Sequence, residues 1–121
     1  KSNLAGARAQ AELFYDSNSN AYLTGTAGGT GDVCSATGVA STVKGIYTAV
    51  LAAATASGIA AVTPNAIATA TTAVCNSTAA GWAAQVPLKT SGAGYYCVDS
   101  LGASVTTTSN LLTATSDVTC S

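Results

Sequence analysis

The chain has 121 residues, enough for one domain whose single core buries about two-thirds of the unfolded surface. Only 7% of residues are charged and the net charge is −1; the four basic residues, Lys1, Arg8, Lys44 and Lys89, are scattered. That excludes a basic track for nucleic acid and a polybasic membrane patch.

Residues 2–16 carry a helical pattern. Leu4, Ala7, Ala11 and Phe14 make one apolar stripe, and Ala5, Ala9 and Leu13 make a thinner row on another face. Arg8 and Glu12 stand at i, i+4, a spacing worth a few tenths of a kcal/mol. A helix apolar on two faces expects two neighbours. The pattern is already running at the first residue, so the expectation is that Lys1 marks a cut.

DSNSNAYLTGTAGGTGD reads as loop, because Asn, Ser and Gly favour turns. Its G-G-T-G lacks the Lys-Ser/Thr pair of a phosphate loop, so a glycine-rich surface loop is the reading.

From about Thr37 to Ser57 a second helix is expected. Val39, Val43, Ile46, Tyr47, Val50, Leu51 and Ala54 keep helical spacing, and Gly58 supplies a C-terminal cap. Thr63-Pro64 then reads as an N-cap with Pro in the first turn, opening a short third helix that runs to about Val74 and buries Ile67 and Val74.

Beyond residue 79 the period changes to two. Ala80, Trp82, Ala84, Val86 and Leu88 alternate with Gly81, Ala83, Gln85 and Pro87, a strand with one apolar face. Pro87 puts that strand at a sheet edge or ends it. KTSGAG turns, YYCVDS returns as a strand, Leu101-Gly102 turns again, and ASVTTT is a third strand. NLLTATSDVTC folds back as a tail. The fold class is therefore α+β: an N-terminal helix (1–16) on a small antiparallel sheet (79–108), with a helical middle (37–74) and a C-terminal tail (109–121).

The four cysteines, Cys34, Cys75, Cys97 and Cys120, form an even set with no C-x-x-C, and there is no histidine. Zinc spacing is absent. Two disulfides fit better and imply an oxidising, extracytoplasmic location. No export signal is visible, and the longest apolar stretch, IYTAVLAAATASGIAAV, is too interrupted to span a membrane. Three pairings are open; 34–75 with 97–120 is expected, because one bridge would staple the middle segment and the other would pin the tail.

No constellation for chemistry emerges. Without histidine the commonest general base is missing. Glu12, Asp16, Asp32, Asp99 and Asp117 are widely separated in sequence, so a paired-carboxylate site would require a coincidence of folding. Asp99-Ser100 reads as a turn, since no G-x-S-x-G surrounds it. A cation shared by Asp99 and Asp117 is a weaker reading than two solvated loop carboxylates. No cofactor, metal or enzymatic activity is expected. Phe14, Tyr15, Tyr22, Tyr47, Tyr95, Tyr96 and Trp82 are read as core or subunit contacts ahead of a sugar-stacking surface. Asn76-Ser77-Thr78 matches an N-glycosylation sequon.

KSNLAGARAQAELFY, a loop, a Cys, a variable middle, a second Cys, then WAAQVPLK…GYYCVDSLG and a terminal Cys resemble the extracellular part of a bacterial type IV pilin or pilin-like protein. The resemblance covers nearly the whole chain, with Gly45 to Ala70 least constrained. It implies a single pilin-like domain over 1–121. Ser2–Tyr15 then map onto the second half of a long helix, and Cys97 with Cys120 onto the C-terminal disulfide-bounded region. Leu4, Ala7, Ala11, Leu13 and Phe14 would serve helix packing or a subunit interface. It implies a structural subunit of an extracellular pilus or related filament, with adhesion, motility or DNA uptake following from the family alone. Its partners would be copies of itself. The pilus assembly machinery and the inner membrane would be met only through an apolar N-terminal half-helix lying before Lys1. The competing expectation is a secreted, disulfide-stabilised binding module for carbohydrate or a surface ligand.

Overall fold

The computed structural model describes residues 6–18, 20–24, 31–34, 39–40, 43–59, 62–67, 72–88, 94–108, 111–114 and 117–120. Helix α1 spans Ala7–Ser17. A hairpin of β1 (Val39–Ala40) and β2 (Val43–Lys44) precedes helix α2 (Tyr47–Ala56). Then come β3 (Val62–Pro64), β4 (Ala73–Ser77), β5 (Trp82–Pro87), β6 (Tyr95–Asp99) and β7 (Ser104–Thr107). These last five form one sheet in the order β3-β4-β5-β6-β7. All neighbours are antiparallel except β3 and β4, which run parallel. The fold is α+β, and its sheet is mixed rather than purely antiparallel.

Strand alternation divides the interior into two clusters. On one face Trp82, Ala84 and Val86 of β5 and Val98 of β6 meet Ala7, Ala11 and Phe14 of α1 and Val50, Ala53 and Ala54 of α2. On the other, Val74, Ala83 and Cys97 meet Leu112 and Cys120 of the tail. The sequence expectation of one apolar face on β5 is therefore corrected. Every residue from Trp82 to Pro87 is buried, because the helices cover one side and the tail packs on the other.

The expected helical middle over 37–74 is also corrected. Among the described residues of that segment the helix spans Tyr47–Ala56, and Val39 and Val43, spaced i, i+4, stand instead on the two strands of a hairpin. Gly45 marks the boundary: a side chain there would collide with the Val33 carbonyl, which accepts the Ile46 N–H at 2.8 Å. The end of α2 follows expectation. Gly58 has φ +83°, its N–H reaches the Thr55 carbonyl, and the Ile59 N–H reaches Ala54, the paired bonds of a Schellman cap.

The described residues at both ends of the third helix expected from Thr63 to Val74 are strand and turn instead. Thr63 and Pro64 lie in β3, Asn65 turns the chain at φ +53°, and Val74 sits in β4. Pro64 suits an edge strand, where its missing N–H takes nothing from the ladder. Pro87 was expected at an edge or at a strand end. It closes β5, which is central, on the last rung opposite Tyr95.

Both disulfides have the expected pairing. Cys34 bonds Cys75 with Cα atoms 5.4 Å apart, and Cys97 bonds Cys120 at 5.9 Å. Among the described residues no helix is long and apolar enough to cross a membrane. Two disulfides are compatible with an extracellular location.

Candidate functional site

Two features carry the candidate chemistry and contacts of this chain: the outer face of α1 and the polar side chains that fasten loops to the sheet. Leu4, expected on the buried stripe of α1, lies outside the described residues, as do Ala5 and the G-G-T of the glycine-rich loop. Ala7, Ala11 and Phe14 are completely buried, as their spacing requires. Ala9 is exposed and Leu13 is 57% exposed, so the described part of the second apolar row faces outward. Arg8 is not engaged with Glu12. Its Nη2 donates to the Ala103 carbonyl at 2.7 Å and its Nε to that of Asp99 at 3.3 Å, tying α1 to the β6–β7 turn.

Glu12 accepts instead from the Tyr22 hydroxyl at 2.7 Å, while the Tyr22 ring tilts against Tyr15 with centroids 4.8 Å apart. Burial, and then the hydrogen bond to Glu12, push the Tyr22 hydroxyl well above the usual tyrosine range. Of the other aromatics, Trp82 is buried, and Tyr47, Tyr95 and Tyr96 are half-buried. Tyr96 bonds Ser104 through its hydroxyl. The Trp82 indole N–H is buried and finds no acceptor among the described residues.

Three buried polar side chains on the second face of the sheet hold the tail by its backbone. Asn76 of β4 donates to the carbonyls of Ala114 and Asp117, both at 3.1 Å, and accepts the Ala66 N–H. Gln85 of β5 accepts the Leu111 N–H at 3.0 Å. Asp99 of β6 accepts the Cys120 N–H on one oxygen at 2.8 Å, and those of Leu101 and Ala103 on the other. Gln85 and Asp99 are buried along with Asn76. Asn76, the asparagine of the sequon, thus has its amide nitrogen engaged by two carbonyls inside the protein, surroundings that do not favour a glycan.

Asp99 and Asp117 do not share a site. Asp117 accepts the N–H groups of Thr113 and Thr119 within the tail, and Asp99 is filled by backbone donors. Ser100 accepts the Trp82 N–H through its hydroxyl, in keeping with the turn reading. Among the described residues no group of three or more His, Cys, Asp or Glu side chains is placed to hold a metal ion.

Sequence reasoning missed a further polar cluster, centred on Asp32. Asp32 is completely buried and accepts from the Cys34 N–H at 2.9 Å, the Ser77 hydroxyl at 2.5 Å and the Asn65 amide at 2.8 Å. Asn65 in turn accepts the Ser77 N–H at 3.0 Å. The available signal was local: Asp32 stands two residues before Cys34, and Ser77 two after Cys75. Such a network ties the loop before Cys34 to the strand after Cys75. Comparison with protein-family models, with curated proteins and with solved structures finds no match for this chain in any of the three.

Proposed function

We infer that the chain is the folded headpiece of a filament subunit of the type IV pilin kind, an extracellular structural protein and not an enzyme. The observation that carries this reading is the two-sided helix. α1 buries Ala7, Ala11 and Phe14 in the domain and keeps Ala9 and Leu13 open. An exposed leucine alone is ordinary. Here it continues a row of small residues on a helix that Arg8 fixes to the sheet, so the outer face is presented rigidly. The low charge of the whole chain suits close repetition, where like charges would repel.

The reading requires that the gene encode an apolar stretch of about 20 residues upstream of Lys1, the length that spans a bilayer. The direct test is immunogold electron microscopy of cells that carry the gene, with Leu13→Glu beside the natural sequence. Labelled filaments that Leu13→Glu removes, while the isolated domain keeps its thermal midpoint, are the expected result. Unlabelled filaments, together with a soluble monomer that binds a carbohydrate saturably, would replace this reading with the secreted binding module.

A further inference from the structure

Asp32 and Asp99 are the acidic residues that the described fold buries, and each accepts the backbone N–H of a half-cystine. Asp32 holds Cys34 at 2.9 Å, and Asp99 holds Cys120 at 2.8 Å. The symmetry goes further. Asp99 lies two residues after Cys97, so its carboxylate ties the strand that carries one cysteine to the backbone of the other. Asp32 reaches Ser77, two residues after Cys75, and Asn65, whose own N–H bonds the Cys75 carbonyl at 2.8 Å. Each cysteine pair is thus bridged twice, once through sulfur and once through a buried carboxylate.

We propose that Asp32 and Asp99 are positioning residues that select the Cys34–Cys75 and Cys97–Cys120 pairings during oxidative folding. In the reduced chain the carboxylate bonds need no disulfide, so they hold each pair in register before oxidation. A hydrogen bond to a buried carboxylate is among the stronger ones a backbone N–H can make, and it strengthens where water is excluded. The oxidant is a small-molecule or protein disulfide. One cysteine thiolate attacks it and expels a thiol. The partner thiolate then attacks the mixed disulfide and expels the second thiol. The pair loses two electrons and two protons, and the oxidant leaves as two thiols. The aspartates take no part in that exchange; they raise the local concentration of the second cysteine.

A substitution at Asp99 separates this role from ordinary stability. In Asp99→Asn the single amide oxygen is claimed by the two turn donors, Leu101 and Ala103, which leaves an NH2 group facing the Cys120 N–H. Arg8→Gln loosens the same turn through its carbonyls without touching Cys120. The experiment reduces the full chain in urea and reoxidises it by dilution into a glutathione buffer. The bridges are then quantified by alkylation and peptide mapping. The natural chain should close both bridges. Asp99→Asn should lower the equilibrium constant for closing Cys97–Cys120 by about tenfold or more, with glutathione retained on one of those cysteines, while Cys34–Cys75 still closes. Asp32→Ala should do the reverse, and Arg8→Gln should leave the balance between the bridges unchanged. Equal weakening of both bridges in either aspartate variant, or the same selective loss in Arg8→Gln, would overturn the proposal. So would unchanged pairing in both aspartate variants.

Discussion

A buried amide that donates to two carbonyls and accepts one N–H has no bond left for a substituent, so Asn76 should be recovered unmodified by mass spectrometry, whatever the host. Asn76→Ala removes those partners and should cost about 2–3 kcal/mol in urea unfolding, the cost of leaving buried groups unsatisfied. Asn76→Asp should be worse at neutral pH, because it sets an anion against the Ala114 and Asp117 carbonyls. Tyr22 predicts a pH effect. Its hydroxyl is held protonated in the fold, first by burial and then by Glu12. The folded chain therefore keeps a proton that the unfolded chain loses near the usual tyrosine value of about 10. That stabilising difference is fully present below pH ~10 and falls away as pH rises further. Thermal midpoints measured upward from pH 9 should drop less steeply in Tyr22→Phe than in the natural chain.

For the elements, α1 gives the sharpest contrast. Phe14→Ala should destabilise by about 3–5 kcal/mol, as for other buried aromatics. Leu13→Ala, one residue away, should stay within about 0.5 kcal/mol, because that side chain is largely in water. Equal losses at the two positions would mean that the outer face of α1 is covered by the domain itself. This element was legible in the sequence because its apolar residues recur at 3.6 and no tertiary contact opposes that period. β5, β6 and β7 were legible too, through period-two alternation bounded by turn residues. The middle of the chain was not. Its alanines and threonines fit either period, so Val39 and Val43 end in a hairpin that one glycine closes against Val33. Thr63-Pro64 offers the same chemistry to a helix start and to an edge strand, and only the partner strand β4 decides between them. The polar clamps were invisible for a related reason. Asn76, Gln85 and Asp99 find their roles only when the tail crosses the sheet.

Across the whole molecule, the sheet is sealed by unlike layers: helices on one face and an irregular tail on the other. The two disulfides guard these layers separately. In the chain-entropy picture, closing loops of 41 and 23 residues contributes roughly 4 and 3 kcal/mol, too close for length alone to rank them. What should differ is how the molecule opens. Beyond the Cys97–Cys120 bond, the described tail is held by Leu112, by hydrogen bonds that Asn76 donates and by those that Gln85 and Asp99 accept. Replacing that cysteine pair by alanine should let the tail open locally, and local opening is what amide exchange detects. The Leu111 amide, bonded to Gln85, should then exchange far faster, while the Val50 amide inside α2 keeps its protection. Replacing Cys34 and Cys75 should instead speed exchange at Ile46 and Val50, because that bond anchors the segment leading into the hairpin and α2. Removing both bridges takes away about 7 kcal/mol from a domain whose total is expected at roughly 5–15. The double variant should therefore be largely unfolded at 37 °C by circular dichroism. A cooperative transition well above that temperature would mean that burial on the two faces holds the sheet without either bond.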